Sequence, residues 1–283
     1  MGKEDKNSRT VLPGSLKPAT SPKDLAFFRN WFSSYVASFA TDDPDVMKNI
    51  DLKHDHTLRV ADEALGIGKA LGLDDFSLAV AEITALFHDV GRFEQYRRFR
   101  TFSDKKSLNH ALFGVEILRE HKVLDRLEPS LGQLILDVIA CHNRATLSED
   151  MEPRTLFFSR LLRDADKLDI WWVLTEYYRM KVAGETNETI ELDLPDTPGT
   201  SESIRESLVK NQVILFDTMK NLNDFKLFQA GWVYDLYFTP ALERMRERNY
   251  LGKIQNALPD TEDIREVFSV VRAWVDRRLG PTV

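Results

Sequence analysis

Ile83-Thr84-Ala85-Leu86-Phe87-His88-Asp89-Val90-Gly91-Arg92 is the stretch from which the rest of the chain can be read. A helix-forming apolar run ends in an adjacent histidine and aspartate; a glycine then permits a turn, and an arginine follows. A neutral imidazole and a carboxylate both suit a divalent cation of borderline hardness. Side chains one residue apart on a helix diverge by ~100°, so the two meet on one ion only when it lies off the helix between them. Taken alone, the pair reads as plainly as a histidine hydrogen-bonded to its neighbour. The sequence on either side decides between the two readings.

Upstream, Gly72 closes one helix and Asp74 or Asp75 can cap the helix that ends in His88-Asp89. The closed helix covers Lys53 to Leu71, with His56, Val60, Ala64 and Ile67 on or near one face. Before it, Asp42-Asp43-Pro44 breaks the chain and starts a short helix. Leu25, Phe28, Trp31, Phe32, Tyr35 and Phe39 follow a Ser21-Pro22 start at helical spacing. Residues 1–22, rich in Lys, Ser, Pro and Gly, read as a disordered leader.

Downstream, residues 91–106 read as a loop holding Arg92, Arg97, Arg98, Arg100, Lys105 and Lys106 against only Glu94 and Asp104. It is either a solvated basic face or an anion-binding segment. Ser107 can cap the next helix, which carries His110 in its first turn. Another helix spans roughly Ser130 to Cys141 and ends at His142. Arg154 to Met180 reads as one long or broken helix containing Asp164, Asp166, Lys167 and Asp169. Residues 183–200 are the linker candidate, and helical stretches follow near 201–222, 226–249 and 261–279. Alternating strand patterns are absent. The class is all-α: a helical domain over 23–182 and a helical C-terminal extension over 201–283 that packs on it.

Composition narrows the function. Of the 283 residues, 43% are hydrophobic and 29% charged, ordinary for a soluble globular protein. A net charge of −7 argues against general nucleic-acid binding. The single cysteine, Cys141, excludes an intramolecular disulfide and fits a reducing compartment. No apolar run approaches the ~20 residues of a membrane span, and the polar N-terminus does not read as a signal peptide. A cytoplasmic protein is expected, and self-association stays open.

Histidines 56, 88, 110 and 142, with Asp89 and Asp166, fall on separate helices, which is how a bundle core assembles a metal site. Plainer readings exist for each: His110 as a first-turn surface residue, His142 as a helix-terminal one, Asp166 as a solvated charge. His54 and His121 are assigned to solvent, and Cys141 reads as a small buried apolar residue.

The segments His56-x-x-Arg59-Val60-Ala61, Phe87-His88-Asp89-Val90-Gly91-Arg92 and Ala165-Asp166-Lys167-Leu168-Asp169 occur in the order and approximate spacing of the HD-domain metal-dependent phosphohydrolases, which the chain resembles over roughly residues 50–180. The resemblance implies an HD-domain-like all-α bundle. It makes His56, His88, Asp89 and Asp166 ligands of a divalent ion (Mn, Mg, Fe, Co or Ni). In binuclear members two further histidines bind a second ion, and His110 and His142 occupy such positions, giving one or two ions per chain. No Gly-Tyr-Pro follows His142, unlike the cyclic-di-GMP phosphodiesterase branch. Arg92 stands where alarmone hydrolases and many 5′-nucleotidases of the family carry an acid.

The expected function is hydrolysis of a phosphate ester, of a nucleotide or related small molecule, by metal-activated water. Asp89, Arg92 and Lys167 are the catalytic candidates, though Lys167 reads equally as a salt bridge to Asp164 or Asp169. Arg92, Arg97, Arg98, Lys105 and Lys106 are the phosphate-binding set. Two rivals stand beside this reading: a regulatory module that binds nucleotide or metal without turnover, and a di-iron oxygenase.

Overall fold

In the computed structural model the described residues are 22–182, 188–192, 194–212 and 214–280. Among them there are helices and connections but no strand, as the all-α reading requires. The expected leader over residues 1–22 lies outside the described residues except at its last position, and so do 183–187 and 193 of the expected linker.

Helix α1 (Pro22–Ala37) begins on a proline, whose missing N–H costs nothing in a first turn. Its aromatic stripe is core: Phe28 meets Phe87 and Phe32 meets Phe93 edge-on, ring centroids 5.8 and 5.9 Å apart. Helix α2 (Pro44–Ala70) is one uninterrupted helix, capped by the Asp43 side chain, which accepts from the N–H groups of Asp45 and Val46. The sequence reading divided it at Lys53. The stretch Asp51 to Asp55, apolar only at Leu52, hides the apolar period but contains no breaker, and the buried face continues through Asn49, Ile50, His56, Thr57 and Val60. Helix α3 (Asp75–Phe87) is capped by Asp74, which accepts from Ser77 N–H at 2.8 Å.

The segment read as a loop over 91–106 is mostly helical. Helix α4 (Val90–Phe99) buries Val90, Phe93 and Tyr96 at three-residue spacing, an apolar face that the excess of charge concealed. It ends where Arg100 takes φ 54°, and a 3₁₀ turn follows at Asp104–Lys106. Helix α5 (His110–Glu120) is capped by Asn109 rather than Ser107; its carboxamide oxygen accepts from Ala111 and Leu112 N–H at 3.0 and 3.1 Å. The Ser107 hydroxyl instead donates to Ser103 O within the turn. Helix α6 (Pro129–Cys141) and a continuous helix α7 (Pro153–Val182) follow.

The chain forms two compact units, one up to Ala165 and one from Asp166, so the division falls inside α7. In the first, α2 packs on α3 and α4, α3 on α1 and α6, α4 on α5, and α5 on α6. The second continues through α8 (Glu188–Glu191), α9 (Glu202–Val209), α10 (Leu222–Gly231), α11 (Thr239–Glu247), α12 (Tyr250–Asn256) and α13 (Glu262–Leu279). Its elements are shorter than the sequence suggested. The expected stretch 226–249 is cut by a 3₁₀ turn at Trp232–Asp235, and Asn249 takes φ 52° just before α12. Trp171, fully buried, stacks on Tyr250 and donates its indole N–H to Gln229 O at 3.0 Å.

Candidate metal centre

The His-Asp pair sits at a helix junction. His88 is the C-cap of α3 and Asp89 the N-cap of α4, but the Asp89 carboxylate makes no capping bond and turns inward. Gly91 lets α4 cross α5 closely: a Cβ there would lie 2.2 Å from the backbone oxygen of His110 and 2.8 Å from Gly114 N. His110 is the first residue of α5, His142 caps the end of α6, and His56 lies mid-way along α2. Arg163 fixes the end of α6, donating from Nη1 to His142 O at 2.9 Å. None of these four histidines, nor Asp89, is more than 6 % exposed.

The five residues form two triads that share Asp89: His56, His88, Asp89 and Asp89, His110, His142. In the first, Asp89 Oδ2 is 3.5 Å from Nε2 of both His56 and His88, and those nitrogens are 3.3 Å apart. In the second, Asp89 Oδ1 is 3.3 Å from His110 Nε2 and 3.8 Å from His142 Nε2, and the nitrogens are 3.0 Å apart. Each oxygen of one carboxylate thus faces its own pair of imidazoles.

The far side of the rings settles their tautomers. His88 and His142 place Nδ1 on the backbone oxygens of Ala85 and Ile139, at 2.7 and 2.8 Å, where it must donate. His110 places Nδ1 2.7 Å from Asp104 Oδ2 and 2.8 Å from Oδ1. A neutral imidazole that donates from Nδ1 has a lone pair on Nε2. The 3.0 Å approach of His110 and His142 therefore brings two lone pairs face to face, an arrangement that a shared cation stabilises. With a carboxylate beside them the donor set is nitrogen and oxygen, suited to a divalent transition metal.

Charges around the centre favour this protonation state. Burial raises the Asp89 carboxyl, but the Lys53 ammonium and the surrounding imidazoles outweigh it, holding the group well below the usual carboxylate range. Burial and the Arg92 guanidinium push His110 down to about 3 against the opposing pull of Asp104. Asp104 is itself lowered: burial opposes this, and His110, Arg92 and Gln95 prevail.

Of the sequence-derived candidates, His56, His88, Asp89, His110 and His142 converge. The surface reading of His110 fails because α4 and α5 pack tightly over it. Asp166 is the first residue of the second unit, on α7, and belongs to neither triad. Lys167 pairs with Asp235, a partner distant in sequence, at 2.7 Å. His54 is half-buried rather than exposed, stacked on Phe32. Arg97 and Arg98 lean on Phe39 and Phe113 and both pair with Glu94, while Lys105 and Lys106 are exposed on the 3₁₀ turn.

Arg92 differs from these four. Its hydrogen bonds among the described residues all run from Nη1, to Phe102 O, Gln95 Oε1 and Asp104 Oδ1. Its buried Nε makes no hydrogen bond and lies 3.5 Å from Asp89 Oδ1. The Nε–Nη2 edge, the side of a guanidinium that grips two oxygens at once, is left for another partner.

Sequence reasoning missed Lys53, whose ammonium is 2.7 Å from Asp89 Oδ2 and lies over the Phe102 ring. Its position one helical turn before His56 was the available signal. Asp104, Gln95 and Asn143 carried none, because they reach the centre through tertiary packing.

Residues 54–171 match the family model described as HD domain. No curated protein and no solved structure matches the chain. The matched span contains His56, His88, Asp89, His110, His142 and Asp166, and HD domains are a superfamily of metal-dependent hydrolases. By that span and the donor set within it, residues 54–171 are similar to an HD domain.

Proposed function

We propose that the protein is a phosphohydrolase that cleaves a phosphate ester of a nucleotide or related small molecule. One observation carries the reading: a single buried carboxylate offers a separate oxygen to each of two converging imidazole pairs. Such a donor set would hold two divalent ions. A divalent ion held there lowers the pKa of water and polarises a phosphoryl oxygen.

The chain's own groups then have distinct roles. His56, His88 and Asp89 would hold the first ion, with Asp166 added by motif match; Asp89, His110 and His142 would hold the second. Mn, Mg, Fe, Co or Ni suits these ligands. The Nε–Nη2 edge of Arg92 receives phosphoryl oxygens, and Lys53, on the other side of Asp89, adds a second positive charge. Arg97, Arg98, Lys105 and Lys106 add only a screened, longer-range attraction to an anionic substrate. Lys167 stays a catalytic candidate through its neighbour Asp166.

The test is a screen of phosphorylated metabolites with chelator-treated protein before and after Mn²⁺ is restored. Phosphate release that requires the metal and vanishes in Asp89→Ala is the expected result. Full metal occupancy without release from any substrate supports the rival reading, a regulatory module that binds without turnover. Oxygen consumption with bound iron supports the oxygenase instead.

A further inference from the structure

The 3₁₀ turn between α4 and α5 brings one carboxylate to four polar side chains. Asp104 Oδ2 is 2.7 Å from His110 Nδ1 and 3.0 Å from Asn143 Nδ2; Oδ1 is 2.8 Å from His110 Nδ1, 2.9 Å from Arg92 Nη1 and 3.0 Å from Gln95 Nε2. The partners come from α4, from the first residue of α5 and from just beyond α6. The side chain is still 30 % exposed, so burial of an ion pair does not explain the convergence.

We propose that Asp104 is a positioning residue that sets two parts of the site together: His110 as a ligand of the second ion and Arg92 as the phosphate-gripping fork. The inference rests on the two-ion reading above and assigns a role to a residue that touches neither ion nor substrate.

His88 and His142 donate their far N–H to neutral backbone carbonyls, whereas His110 donates to a carboxylate. A carboxylate partner fixes the tautomer and ring direction and makes the imidazole a stronger ligand. Asp104 therefore acts on the second subsite and not on the first. At Arg92 it supplies the only charged acceptor of the three that hold Nη1. With Nη1 held, the opposite edge of the fork is directed at the space beside Asp89 Oδ1. A carboxylate that merely stabilised the turn would affect both subsites alike. The turn also has bonds of its own, from Lys106 N–H to Ser103 O and from Ser107 N–H to Asp104 O.

The experiment is a Mn²⁺ titration of the full chelator-treated chain by calorimetry, in the wild type, Asp104→Ala and Asp104→Asn. The wild type takes two ions. In Asp104→Ala one of the two steps falls by about 10- to 100-fold, the usual loss for an outer partner of a ligand, and the other step is unchanged. Asp104→Asn keeps the shape and an acceptor oxygen for His110 but loses the charge, so its loss is intermediate. At saturating Mn²⁺ the same variants bind inorganic phosphate about tenfold more weakly, because Arg92 has lost its charged anchor. Equal weakening of both ions, unchanged affinity for both, or unchanged phosphate binding overturns the proposal while the two-ion reading stands. A wild type that takes only one ion overturns both.

Discussion

Asp89 serves both triads, yet the residue that tests substrate recognition most cleanly is Arg92, because it contacts the centre without belonging to a triad. A charge-assisted bond contributes roughly 1.5–3 kcal/mol, so Arg92→Ala lowers kcat/KM by about 10- to 100-fold with metal content unchanged. Steady-state kinetics beside metal analysis reads both; an unchanged kcat/KM at low salt removes Arg92 from the site. Neutralising Arg97 or Arg98 has a small, salt-sensitive effect, since both are more than half exposed and already paired with Glu94. His110 supplies a second test. Its folded pKa of about 3 lies below the unfolded value of 6.5, so below pH 6.5 the unfolded chain binds a proton that the folded chain refuses. Stability of the metal-free protein therefore falls as pH drops from about 6.5 towards 3. In His110→Gln the slope over that window is shallower by one proton, which urea denaturation at pH 7, 6 and 5 measures. At this scale the sequence named every member of the two triads, because His-Asp pairs and helix-borne histidines carry a local signature. It could not show Asp104 holding His110 and Arg92, since those bonds exist only once α4, α5 and α6 have packed.

Between residues and molecule, the close crossing of α4 and α5 decides whether the second triad forms. Gly91 and Gly114 make the contact, and a Cβ at position 91 would overlap the α5 backbone itself. Backbone cannot yield as a flexible side chain does, so Gly91→Ala forces the helices apart. Overpacking of this kind costs about 1–3 kcal/mol, a fall in Tm of roughly 2–4 °C per kcal/mol for a chain of this size. It also moves His110 from His142, so the variant keeps one ion and loses the other. A Gly91→Ala protein with wild-type Tm and two ions would show that the crossing is looser than described. The helices themselves were mostly legible in the sequence. The closing Gly72, a cap at Asp74 or Asp75, the apolar stretches of α1 and α3, and the presence of α5 and α6 could all be read from it. Helix α4 was not, because its charged positions outnumber the buried Val90, Phe93 and Tyr96 that define its inner face. The division of α2 had a similar cause: its inner face carries Asn49, His56 and Thr57 where an apolar period was sought.

Across the whole molecule the charge is negative, yet two cations stand at the centre. The chain carries −7 overall, but Lys53 and Arg92 flank the carboxylate at the centre, the positive charge that the proposed anionic substrate would meet. All five residues of the triads come from the first compact unit, and α7 leads from it into the second. The sequence reading placed the C-terminal extension at 201–283, whereas the second unit begins at Asp166, inside an uninterrupted helix where composition does not change. The central claim is that one carboxylate bridges two metal subsites, and a metal count on four proteins tests it most directly. Chelator-treated wild type, His56→Ala, His110→Ala and Asp89→Ala are reloaded with Mn²⁺, freed of excess, and analysed for metal per chain. The account predicts about two ions, one, one and none; an Asp89→Ala protein that retains both ions, or a wild type that retains none, would contradict it.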